Sequence, residues 1–91
     1  MQQKDDKTKQ LAVVMGSIIR GYRLKNKNCS INQFAHEYDL DVGNTSRIEN
    51  GLTDVKLVTL WKIAEALGVS TSDLIKKAEK QLGKDFLFYE P

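Results

Sequence analysis

The sequence has little of what disulfide-bonded, metal-dependent or membrane proteins require. It holds one cysteine, Cys29, and one histidine, His36. No internal disulfide can form, and the usual zinc sets cannot be assembled. No carboxylate-bearing loop has the spacing of a cation site either, so neither a metal nor another cofactor is expected. No apolar run is long enough for a signal-peptide core or a membrane span, which excludes a membrane role and points to a cytoplasmic protein. Repeats, low-complexity tracts and glycine-rich linkers are missing, leaving no mark of a second module. Catalytic triads, phosphate loops and carboxylate pairs of defined spacing are missing too, which argues against an enzyme. Charge of one sign is scarce: 14 basic against 12 acidic residues leave a net charge of +2. That balance does not by itself announce a nucleic-acid partner.

What is present suits one small domain. The chain has 91 residues, 41% of them hydrophobic, near the size at which one core can hold a fold without staples. The opening residues 1–10 are polar after Met1 and read as an extension. Residues 11–82 read as the domain, and residues 83–91 as a tail in which Phe86, Leu87, Phe88 and Tyr89 stand together. Within the domain, Leu11, Val14, Ile18, Ile19 and Tyr22 recur at helical spacing and predict a first helix, with Arg20, Arg23 and Lys27 off its apolar stripe.

Ser30 is placed to cap a second helix whose inward face is Phe34, Ala35 and Tyr38. A break at residues 39–41 offers Asp41 as the cap of a third helix over Val42 to Asn50, closed by Gly51 in the left-handed conformation. Leu57, Leu60, Trp61, Ile63, Ala64 and Leu67 predict a fourth helix ending at Gly68. Ser70 caps a fifth that buries Leu74, Ile75 and Ala78 and stops near Gly83. The expected fold is all-α: five short helices and a short apolar C-terminal tail. His36 reads as a surface or packing residue, and Cys29 as a small half-buried one rather than a redox sensor.

Charge is unevenly placed. From Leu11 to Ala35 the basic residues Arg20, Arg23, Lys25 and Lys27 meet no acidic residue. From His36 to Val55, Glu37, Asp39, Asp41, Glu49 and Asp54 stand against Arg47 alone. A nucleic-acid reading of the second and third helices has to account for that acidity.

Two short helices joined by a tight turn, from Ser30 to Gly51, form the unit in which one helix crosses the phosphate backbone and the next lies in the major groove. SINQFAHEYDLDVGNTSRIENG followed by LVTLWKIAEALGVSTSDLI resembles the lambda-repressor-like family, the XRE or Cro/C1-type helix-turn-helix regulators, over about Ile18 to Ile75. SRIENG and TLWKIAEALGVS are its most specific segments. The resemblance implies a DNA-binding transcription regulator whose base-facing residues are Val42, Gly43, Asn44, Ser46 and Arg47. Arg47 can donate twice to guanine, Asn44 can pair with adenine or a phosphate, and Val42 can meet a thymine methyl.

Phosphate contacts are expected from Ile31, Asn32 and Gln33 at the start of the second helix, and from Asn50 and Lys56 on the other side. Arg20, Lys25 and Lys27 would add diffuse attraction or form a solvated face. The resemblance also pairs Glu49 with Arg23 and assigns Asp41 to a cap, which accounts for part of the acidity. The sequence departs from the family pattern in the turn, where Asp39 replaces glycine, and at Ile31, Thr45 and one inserted residue before Ser30. A recognition helix reads few base pairs, so a homodimer on a pseudo-palindromic operator is expected, acting as a repressor. Trp61 is either core or a dimer anchor, and Phe86 to Tyr89 either pack at home or clasp a second subunit; we favour the clasp. The competing function is a protein-interaction module, or an antitoxin-like subunit with weakened DNA reading. A protein antagonist or toxin would be its partner.

Overall fold

In the computed structural model, which describes residues 2–89 with side chains from Asp6 to Tyr89, α1 (Gln2–Tyr22) passes directly into a π-helical turn, Arg23–Lys27. Met1, Glu90 and Pro91 lie outside the described residues. Then follow α2 (Ile31–Glu37), α3 (Val42–Glu49), α4 (Leu57–Leu67) and α5 (Thr71–Leu82). Among the described residues there is no strand.

Residues 2–10 form the first turns of α1, and the Lys7 ammonium rests 5.2 Å from the centre of the Phe86 ring, a cation–π contact between α1 and the tail. At the other end of α1, the π-helical turn lies just ahead of Ser30, where the resemblance implies one extra residue. The Asn28 N–H donates to the Arg23 carbonyl at 3.0 Å, the i to i−5 bond that closes a π-helical turn. Asn28 then takes a left-handed conformation, and Asn26 Nδ2 donates to the Leu67 carbonyl at 3.0 Å, anchoring the turn to the end of α4.

The caps follow from the residues at the breaks. Ser30 Oγ accepts from the Gln33 N–H at 3.1 Å, and Gln33 Oε1 accepts from the Ser30 N–H at 3.2 Å, a reciprocal capping box. Asp41 Oδ1 accepts from the Asn44 N–H, and Ser70 Oγ from the Asp73 N–H. Asp39 carries the tight turn between α2 and α3 with φ 56°, a left-handed conformation that aspartate enters more readily than most residues.

The core is built from Met15, Ile18 and Ile19 of α1, Phe34 of α2, Ile48 of α3, Leu60, Ile63 and Leu67 of α4, and Leu74 and Ala78 of α5. Ile75, expected to be buried, is 41% exposed, and Leu57, one of the apolar residues that mark α4, is 66% exposed. Leu57 opens α4, ahead of the turn that packs on the core, and Ile75 lies one position round α5 from the buried Leu74. Ala66 and Met15 are buried in addition to the residues the periodicity selects.

Two glycines let α1 reach α3. A Cβ on Gly16 would collide with the Ile48 carbonyl and stand 2.8 Å from that of Glu49. Gly51, at φ +69°, presses against Val13, whose Cα would lie 2.7 Å from a Cβ there. Neither position has room for a side chain.

Candidate nucleic-acid interface

The third helix is fixed from behind. Its inward residues are Thr45, Ile48 and Glu49, all buried. Thr45 stands where the resemblance implies an apolar residue, and its hydroxyl donates to the Asp41 carbonyl at 2.8 Å, so the polar group is satisfied. Glu49 is met by Arg23 in a two-point pair: Arg23 Nε donates to Oε2 and Nη2 to Oε1, each at 2.8 Å. Arg23 Nη1 also donates to the Cys29 carbonyl at 2.6 Å, which links the pair to the connection ahead of α2. The hydrogen bond to Glu49 raises the Arg23 pKa further above its ordinary value, against the opposing effect of burial. The guanidinium therefore stays charged throughout the working pH range.

The outward face of α3 carries Val42, Gly43, Arg47 and Asn50, all exposed, with Asn44 and Ser46 half-buried beside them. The Arg47 guanidinium lies along the helix over Gly43: a Cβ on Gly43 would stand 3.5 Å from Arg47 Nη1 and 3.5 Å from Asp41 Oδ1. Gly43 reads nothing with a side chain, but it leaves the space beside Arg47 open. The Asn44 backbone N–H is taken by its cap, so its free carboxamide is the group left for a ligand.

The residues expected at phosphates are more scattered. Asn32 and Gln33 are exposed on the first turn of α2, and Ile31, half-buried, offers only its backbone N–H. Gln33 Oε1 is engaged in the cap, so its amide nitrogen is the available donor. Lys56 is exposed and stands at the N-cap of α4, which has no side-chain cap. Asn50 is already in use: its Oδ1 accepts from Arg20 Nη2 at 3.1 Å, and its Nδ2 donates to Ser46 Oγ at 3.5 Å. The placement of Arg20 at the end of α3 is invisible to periodicity, which puts it merely off the apolar stripe of α1.

The acidic residues that weigh against DNA are partly withdrawn. Glu49 is buried and paired, and Asp41 is a cap. Glu37, Asp39 and Asp54 remain exposed.

A second exposed surface lies on α4 and α5. Leu57, Val58, Trp61 and Ile75 are all solvent-exposed, and a shallow groove lined by Leu57, Trp61, Val69 and Ile75 runs between them. Trp61, 55% exposed, belongs to this surface and not to the core. In the tail, Phe86 is half-buried and stacks edge-on with Phe88 at 5.5 Å, while Leu87, Phe88 and Tyr89 are exposed.

The family model for helix-turn-helix proteins matches residues 19–74. This chain belongs to the Cro/C1-type helix-turn-helix family. It is a DNA-binding transcription regulator and not an enzyme. The control protein C.MunI of a Mycoplasma species is 35% identical over 71 residues, 78% of this chain and 96% of that protein. The control protein C.BamHI of Bacillus amyloliquefaciens is 37% identical over 68 residues, 75% of this chain and 84% of that one. Two solved structures of the clp gene regulator ClgR from Corynebacterium glutamicum share the fold with a TM-score of 0.71. They are 24% and 25% identical, covering 81% and 79% of this chain and 95% and 76% of theirs. Among the described residues no helix is long and apolar enough to cross a membrane.

Proposed function

We propose that this helix-turn-helix protein is a cytoplasmic homodimeric repressor that reads a pseudo-palindromic operator. The observation that carries the reading is the division of α3 into two faces. Thr45, Ile48 and Glu49 are locked into the core, while Val42, Gly43, Ser46 and Arg47 form an outward strip. A helix held rigidly from behind can present side chains to base edges without further ordering cost. Arg47 donates to guanine, Asn44 to adenine or phosphate, and Val42 meets a thymine methyl. Asn32, Gln33, Asn50 and Lys56, with the Ile31 backbone N–H, contact flanking phosphates. The names of the relatives, two control proteins and a gene regulator, support a role in controlling expression.

The dimer rests on the apolar α4–α5 surface. Exposed Leu57, Val58, Trp61 and Ile75 form a patch that a second copy would cover, with the tail residues Phe86, Leu87, Phe88 and Tyr89 as a further clasp. Two copies related by a twofold would set their α3 helices in successive major grooves, about 34 Å apart.

Selection of bound duplexes from a random pool, combined with the stoichiometry of the enriched complex, tests this. The expected result is a twofold-symmetric motif occupied by two chains. An asymmetric motif bound by one chain would overturn the dimer, and no enrichment would overturn sequence-specific reading.

A further inference from the structure

The charge at the end of α3 does not balance. The buried Glu49 carboxylate has both oxygens taken by Arg23, at 2.8 Å each. Yet a second guanidinium, that of Arg20, is held at the same place, with Nε 3.6 Å from Glu49 Oε1 and Nη2 donating to Asn50 Oδ1 at 3.1 Å. One carboxylate faces two cations, so the cluster carries a surplus positive charge. The two arginines also differ in exposure: the Arg20 side chain is 52% exposed, against 8% for Arg23. The surplus charge is therefore the outward one. A side chain serving only to neutralise Glu49 would be redundant there.

The surroundings favour an anion further. The end of α3 would ordinarily present unpaired carbonyls that repel negative charge. Here the Ser46, Arg47 and Ile48 carbonyls accept from the N–H groups of Asn50, Leu52 and Gly51 at 3.0, 2.9 and 3.1 Å. Arg20 occupies the oxygen of the Asn50 carboxamide, which directs its Nδ2 toward Ser46 on the outward strip. The end of the recognition strip thus shows donors: the guanidinium N–H groups not given to Asn50, and the Asn50 amide nitrogen.

Building on the DNA-binding reading above, we infer that Arg20 and Asn50 form a phosphate clamp. Arg20, from α1, grips the same backbone phosphate as Asn50, and Asn50 and Glu49 hold it in position beforehand. The clamp reads no base. It fixes how far α3 penetrates the groove, because Arg20 is carried by a different helix from the base-reading residues.

The test compares wild type, Arg20→Ala and Arg20→Lys on the duplex selected by the wild-type protein and on a scrambled duplex, across a range of salt. Arg20→Ala should lower affinity by the same factor on both duplexes and reduce the slope of log affinity against log salt by about 0.9 per protomer. Arg20→Lys should restore most of that slope. The circular dichroism and urea midpoint of Arg20→Ala should stay close to wild type, as expected for a half-exposed side chain outside the core. An unchanged slope and affinity in Arg20→Ala, with base preference still lost in Arg47→Ala, would overturn the clamp and leave the DNA-binding reading standing. Absence of salt-dependent DNA binding by the wild-type protein would overturn both.

Discussion

Gly16 of α1 lies against the Ile48 carbonyl of α3 so closely that even a Cβ would overlap it. The contact sets the distance between the long first helix and the helix proposed to carry the DNA-facing strip. Gly16→Ala should therefore destabilise the fold by about 1–3 kcal/mol, the usual cost of overpacking, although alanine is the better helix former. Gly21 in the same helix has nothing within 4 Å of a Cβ. Gly21→Ala should stabilise by about 0.5–1 kcal/mol. Urea unfolding of the two variants checks both signs; equal effects would mean that helix propensity governs and the close approach does not.

Arg23 and Glu49 make a buried two-point ion pair. Removing one partner strands the other's charge, so Arg23→Met should cost about 3–5 kcal/mol, toward the lower end because Arg20 remains close to Glu49. The double variant Arg23→Met with Glu49→Leu should recover much of that loss, since it leaves no unpaired charge. Denaturant midpoints for the single and double variants measure this; a double variant no better than the single would show that the pair contributes more than charge compensation.

Much of the fold is legible in the sequence because each break carries its own chemistry. Ser30, Asp41 and Ser70 accept from backbone N–H groups that the helices leave unpaired, and Gly51 and Gly68 take left-handed conformations that other residues resist. The apolar spacing alone selects the buried Ile19, Phe34, Ile63 and Leu74. Leu57 and Ile75 show where that signal fails. An apolar side chain at helical spacing looks the same whether it meets its own core or waits for a partner, and only three-dimensional packing separates the two. The π-helical turn ahead of Ser30 has no mark in the apolar periodicity, and the bond from Asn26 to the Leu67 carbonyl that anchors it joins residues far apart in the chain. Gly16 is a helix-interior glycine, a position that ordinarily costs about 1 kcal/mol relative to alanine, and that cost is the one signal that could have marked it. The link between Arg20 and Asn50 joins residues 30 positions apart and has no local pattern at all.

Trp61 should matter for assembly more than for folding. It is 55% exposed on the α4–α5 patch, so Trp61→Arg should keep helical content and shift stability by no more than about 0.5 kcal/mol, while converting the proposed dimer to a monomer. Sedimentation velocity on the wild type and the variant reads this directly. A wild-type protein that sediments as a monomer at high concentration, or a variant that remains dimeric, would remove the patch from the interface.

The most direct test of the proposed DNA-facing strip is the affinity of wild type and Arg47→Ala for the selected duplex and for versions of it with each selected guanine replaced. Arg47→Ala should bind the selected duplex more weakly, by about 1–3 kcal/mol, and lose the preference for guanine at one position of each half-site. Preferences at the remaining positions should be unchanged. Retention of every guanine preference by Arg47→Ala would contradict the assignment of α3 as the base-reading helix.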